Sequence, residues 1–149
     1  MQLPSVAADI PHVIQLSVAP VFLLSGVGVT LGVLATRLGR IIDRARLLEQ
    51  LLPGATGAAH ESATEERRTL SRRAQLINRA ITLCVAGALC VCLLIATLFI
   101  GALLGLGLVV LLAALFIASM LALIGGYISF LREIFLATHS LRFGGQHHP

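Results

Sequence analysis

The stretch AITLCVAGALCVCLLIATLFIGALLGLGLVVLLAALFIASMLALIGGYISFL, residues 80–131, runs for 52 positions without a single Asp, Glu, Lys or Arg. A helix that crosses a bilayer needs about 20 apolar residues at a rise of about 1.5 Å each. Fifty-two therefore suit two spans and a tight turn. Gly101, Gly105 and Gly107 cluster at the middle, where helix propensity is weakest. They predict a turn over 101–107 between spans at about 80–100 and 108–131.

Outward from this stretch, residues 10–36 form a second uncharged region between Asp9 and Arg37. About 20 residues counted back from Arg37 reach Ser17, so the first span is expected over about 13–36, after an external N-terminal tail of residues 1–9. The composition agrees. The 149 residues are 57% hydrophobic and 12% charged, with mean hydropathy +0.94, whereas a soluble domain carries roughly 25% charged residues. A soluble fold of this size keeps too much surface wet to hide that apolar content, and disordered chains are polar and charged.

All eleven basic residues are arginines, set against seven acids. Nine of them lie between the first and second spans (37–79), and Arg132 and Arg142 follow the third. The positive-inside rule then puts residues 37–79 and the C-terminus in the cytoplasm and the N-terminus outside. Beside a membrane, the RRTLSRR run (67–73) reads as attraction to anionic lipid headgroups rather than to nucleic acid.

The 37–79 segment is periodic. Leu38, Ile41, Ala45, Leu48 and Leu52 recur at 3-4 spacing, which predicts an amphipathic helix continuing the first span as far as Pro53-Gly54. Ser62 and Glu65 form a capping-box pattern, and Leu70, Ala74, Ile77 and Ile81 line one face of a helix running into the second span. Leu131, Ile134, Phe135, Thr138 and Leu141 make a third stripe over 132–142, ahead of a flexible tail at 144–149. The expected fold is all-α: three transmembrane helices whose cytoplasmic ends extend as a helical stalk, in a single domain over 10–143.

Counting from the boundary arginines suggests ion pairs of Asp43 with Arg72 or Arg73, and of Glu133 with Arg37 or Arg79. Exposed, such pairs contribute under about 1 kcal/mol; a buried Glu133 would give them a larger role.

The blocks HVIQLSVAPVFLLSG (12–26), RLGRIIDRARLLE (37–49), RRAQLINRAITLC (72–84) and FLREIFLATHSLR (130–142) resemble a bacterial membrane family designated domain of unknown function 2721. The resemblance covers about residues 9–143. It implies a bacterial three-span membrane protein and brings no activity or site residue with it.

Small residues recur along each span: Ser25, Gly28, Gly32, Ala35 and Gly39 in the first, Ala80, Cys84, Ala88, Cys92 and Ala96 in the second, and Ala114, Ala118, Ala122 and Gly126 in the third. Small side chains let helices approach closely in lipid, either within one subunit or between copies. The three cysteines, Cys84, Cys90 and Cys92, lack the paired spacing of a zinc site. Pro20 frees the carbonyl of Leu16, and with Gln15 and Ser17 it could line a hydrated mouth. No catalytic residue, metal-ligand set or cofactor motif can be read from the chain, and no span holds the paired carboxylates of acid–base or proton-relay chemistry. Two functions fit: a non-enzymatic assembly or scaffold of the bacterial inner membrane, self-associating or binding a membrane partner, or a small ion channel or uncoupled transporter subunit.

Overall fold

The computed structural model describes residues 4–51 and 57–142, with side chains over 10–50, 57–58 and 60–137. Over these residues the protein is all-α, with helices α1 (Pro4–Leu51), α2 (Ala58–Leu104) and α3 (Val109–Arg142). Helices of 48, 47 and 34 residues are about 72, 70 and 51 Å long. All three are long and apolar enough to cross a membrane, and each exceeds the roughly 30 Å of a hydrocarbon core.

The helix ends differ from the sequence expectation at three places. Residues 4–9, expected in an external tail, belong to α1; Pro4 opens the helix, where a residue without an N–H and with a fixed φ fits well. Pro11 and Pro20 lie inside α1, which continues through both. α2 starts at Ala58 rather than at the Ser62 cap. Gly57, at φ +62°, precedes it, and the Gly57 carbonyl accepts the N–H groups of His60 (3.0 Å) and Glu61 (3.3 Å). The α2–α3 turn is shorter than 101–107, because α2 runs through Leu104. Gly105 then takes φ +64° and the Leu106 N–H donates back to the Gly101 carbonyl at 3.0 Å. A left-handed residue followed by this six-to-one bond is the Schellman ending, and it suits glycine because a Cβ is strained there. The expected Pro53-Gly54 break, Leu52, Thr138, Leu141 and the 144–149 tail lie outside the residues or side chains described.

Burial follows a 3-4 spacing along nearly the whole of α1. Val13, Ser17, Val27, Leu34, Ile41 and Leu48 are buried, and Pro20, Leu24, Leu31, Leu38 and Ala45 between them are half-buried. α2 repeats the pattern through Leu70, Arg73, Ile77, Ala80, Cys84, Gly87, Val91 and Leu94. On α3 the inward residues are Ser119, Leu123, Gly126, Phe130, Glu133 and Ala137. Such a seam keeps a helix against its neighbours over many turns, as in a coiled coil. The stripe expected on α3 is turned outward: Leu131 and Phe135 are exposed and Ile134 is half-buried. The inward face here is the one that carries Phe130, Glu133 and Ala137, so hydrophobicity alone does not mark the inner side.

The chain divides into two compact units. One comprises α1 up to Leu31 with Leu83–Ile124; the other comprises Gly32–Thr82 with the chain from Gly125 onward. In the first unit the closest approach marked by a glycine is at Gly87. A Cβ there would lie 3.0 Å from Leu123 Cγ and 3.2 Å from the Ser119 carbonyl oxygen. The leucine side chain can move, but the carbonyl is fixed in α3.

Gly87→Ala is therefore expected to lower stability by about 1–3 kcal/mol through overpacking, although helix propensity alone favours alanine by about 1 kcal/mol. Gly26→Ala, with nothing within 4 Å of its Cβ position, should be neutral or stabilising. Thermal unfolding of both variants in mild detergent checks the contrast. A stabilised Gly87→Ala would contradict the α2–α3 packing.

Candidate functional site

The second unit encloses a charged group on the inner face of α3. Glu133 occupies a seam position and is fully buried. Taking a carboxylate out of water costs several kcal/mol unless donors replace the water, and here arginines from the other two helices do so. Arg37 of α1 donates from Nη1 to Glu133 Oε2 at 2.8 Å. Arg73 of α2 donates from Nη2 at 3.0 Å and from Nε at 3.2 Å to Oε1. Both carboxylate oxygens are thus engaged. The Arg37 guanidinium also lies over the Phe130 ring, 5.3 Å from its centroid, a cation–π contact that Phe130 can make because it sits one turn before Glu133 on α3. The arginine side chains keep 40% and 23% of their surface accessible, so both are only partly buried while they close over the acid.

Of the ion pairs suggested by counting, Glu133 meets Arg37, and its second partner is Arg73 rather than Arg79. The reason is the helical face. Arg73 falls on the α2 seam and is half-buried, whereas Arg79 points outward. Asp43 and Arg72 are exposed, and no ion pair among the described residues joins Asp43 to Arg72 or Arg73. Two exposed α1–α2 pairs occur instead, Arg44–Glu66 at 2.7 Å and Arg67–Glu49 at 3.9 Å. The Glu66 hydrogen bond and charge raise the pKa of the Arg44 guanidinium above its ordinary value.

The small-residue rows separate. On α1, Ser25, Gly28, Gly32 and Ala35 are exposed and Gly39 is half-buried. Each lies one position after an inward residue, about 100° around the helix, and among the described residues nothing beyond the local helix backbone lies within 4 Å of a Cβ built at Gly28, Gly32 or Gly39. On α2 the row starts buried at Ala80 and Cys84, is half-buried at Ala88 and is exposed at Cys92 and Ala96. On α3 it starts exposed at Ala114 and Ala118, is half-buried at Ala122 and ends buried at Gly126. A strict four-residue spacing advances about 40° per step, so these two rows wind off the seam.

Gln15, Ser17 and Pro20 do not converge. Gln15 is exposed, Pro20 is half-buried, and Ser17 is buried with its hydroxyl donating to the Ile14 carbonyl at 2.7 Å. A cavity of about 560 Å³ in the first unit is lined by His12, Val13, Leu98, Gly101 and residues of the 105–109 turn, and by none of those three. Other hydroxyls are likewise returned to their own helices: Thr97 donates to Leu93 and Ser119 to Phe116, both at 2.7 Å.

The sequence model of a family described as a protein of unknown function, DUF2721, matches residues 17–143. The chain belongs to this family. Comparison with curated proteins and with solved structures finds no match. The matched region contains Arg37, Arg73 and Glu133 together, so the three-helix charge contact lies wholly within the DUF2721 region.

Glu133→Gln is expected to lower stability by about 1–3 kcal/mol, since two guanidiniums lose a charged acceptor; their partial exposure keeps the loss below that of a fully buried pair. Asp43→Asn should leave stability within about 0.5 kcal/mol. Unfolding in detergent compares the two directly, and equal effects would remove Glu133 from its structural role.

Proposed function

We propose that this chain is a non-catalytic protein of the bacterial inner membrane, N-terminus outside and C-terminus cytoplasmic, that assembles with further copies of itself through the small-residue face of α1. One observation carries the reading. Ser25, Gly28, Gly32 and Ala35 are exposed, and the Cβ positions of Gly28, Gly32 and Gly39 are open. Within the chain α1 packs through its larger residues, such as Val27 and Leu34, which leaves the small-residue face available to a second helix. Close approach along such a face is a common way for helices to associate where lipid supplies no hydrophobic drive. Arginine crowding between Arg37 and Arg79 supports the orientation and contact with anionic headgroups at the cytoplasmic surface.

The test is oligomeric mass in mild detergent. Native protein is expected as one defined oligomer, and Gly28→Leu or Gly32→Leu as monomers with unchanged helicity, because the Cβ positions of both glycines are open. Native protein that is monomeric, or an oligomer indifferent to both changes, would overturn the proposal.

A further inference from the structure

The second unit has a cavity of about 360 Å³ lined by Arg37, Arg40, Arg44 and Arg73 over an apolar floor that includes Ile41 and Leu70. Its volume falls within the roughly 300–1,000 Å³ of small-molecule sites. Four guanidiniums meet only two carboxylates, Glu133 and Glu66, among the described residues, which leaves a net of two positive charges. Arg40 has no ion-pair partner among the described residues. A guanidinium has five N–H donors. Arg37 gives one to Glu133 and Arg73 gives two, so both are held in place with donors to spare. Arg44 is similarly steadied by Glu66.

We infer that this cavity binds a phosphate ester through Arg37, Arg40, Arg44 and Arg73. A phosphate group presents several oxygens in different directions and matches guanidinium forks supplied to one cavity by two helices. Two surplus charges balance a phosphate monoester, or exceed by one the charge of a lipid phosphodiester. Donors already fixed by Glu133 and Glu66 lose little freedom on binding, so more of the interaction appears as affinity. Two sources share this chemistry: the headgroup of an anionic lipid and a soluble phosphate ester. The lipid source rests on the proposed orientation, in which Arg37 marks the cytoplasmic boundary and Arg40 and Arg44 lie one and two turns beyond it. The soluble source does not need that reading, and neither source needs self-association.

Native mass spectrometry of the full chain, released from a neutral detergent, tests the inference with two probes. Phosphatidylglycerol is compared with phosphatidylcholine, and inorganic phosphate with chloride at matched ionic strength. One saturable site is expected. Arg40→Gln should weaken it about ten-fold or more, the scale of losing hydrogen bonds to a charged group. Arg46→Gln, exposed and outside the cavity, should leave binding nearly unchanged. Retention of phosphatidylglycerol alone assigns the site to a lipid headgroup; retention of phosphate, or its competition with the lipid, assigns it to a phosphate group as such. The inference is overturned if neither probe binds above its control, or if Arg46→Gln weakens binding as much as Arg40→Gln. The same spectra give the oligomer mass, so failed self-association and a failed anion site are read separately.

Discussion

The carboxylate of Glu133 is the constraint on which the arrangement of the second unit depends. It is completely buried, so any arrangement that leaves it without donors costs several kcal/mol. Apolar seams do not discriminate in this way. Inward positions on α1 recur every seven residues from Val13 through Val27 and Leu34 to Leu48, and sliding such a helix by seven replaces one aliphatic layer with another. Sliding α3 by seven residues towards its C-terminus would bring Gly126 to the place of Glu133 and strand two arginines. A single charged layer therefore sets the register that the repeating layers leave degenerate, a role polar residues also play at core positions of coiled coils.

How much of this was legible in the sequence depends on the medium around each segment. Along 38–48 the inward row was readable, because arginines and Asp43 occupy the other faces and an apolar residue there stands out. The same 3-4 row continues upward through Leu31, Val27, Leu24 and Pro20, but there every face is apolar. The small residues gave the more visible signal, and it marks a different face: Ser25, Gly28, Gly32 and Ala35 lie one residue after the packed positions. Size patterning reports where a helix can be approached closely, not which neighbour approaches it. Three spans and a glycine turn followed from length and charge; the inner faces of the spans needed the structure.

The charge cluster was half legible. Counting turns from the boundary arginines brought Glu133 to the level of Arg37, since both stand at the end of an uncharged run. It assigned Arg73 to Asp43 rather than to Glu133, because turns were counted without regard to helical face. Arg73 occupies the position four before Ile77 and three after Leu70, both buried, so the α2 seam itself points to it. An arginine in an otherwise apolar seam row is the available signal, and it implies a buried acid on a neighbouring helix.

The exclusive use of arginine now has a physical sense at this point of the fold. A lysine at position 37 or 73 would offer a compact, strongly hydrated point charge. Arginine offers a planar fork that can bind a carboxylate on one edge, lie over Phe130 with its face, and still present N–H groups outward. Closing the three helices on Glu133 thus consumes only part of what Arg37 and Arg73 provide. The two arginines that satisfy the buried acid also line the basic cavity, and Arg40 and Arg44 extend that lining along α1. Stability within the chain and a basic cavity at its surface thus share Arg37 and Arg73, which Glu133 holds in place.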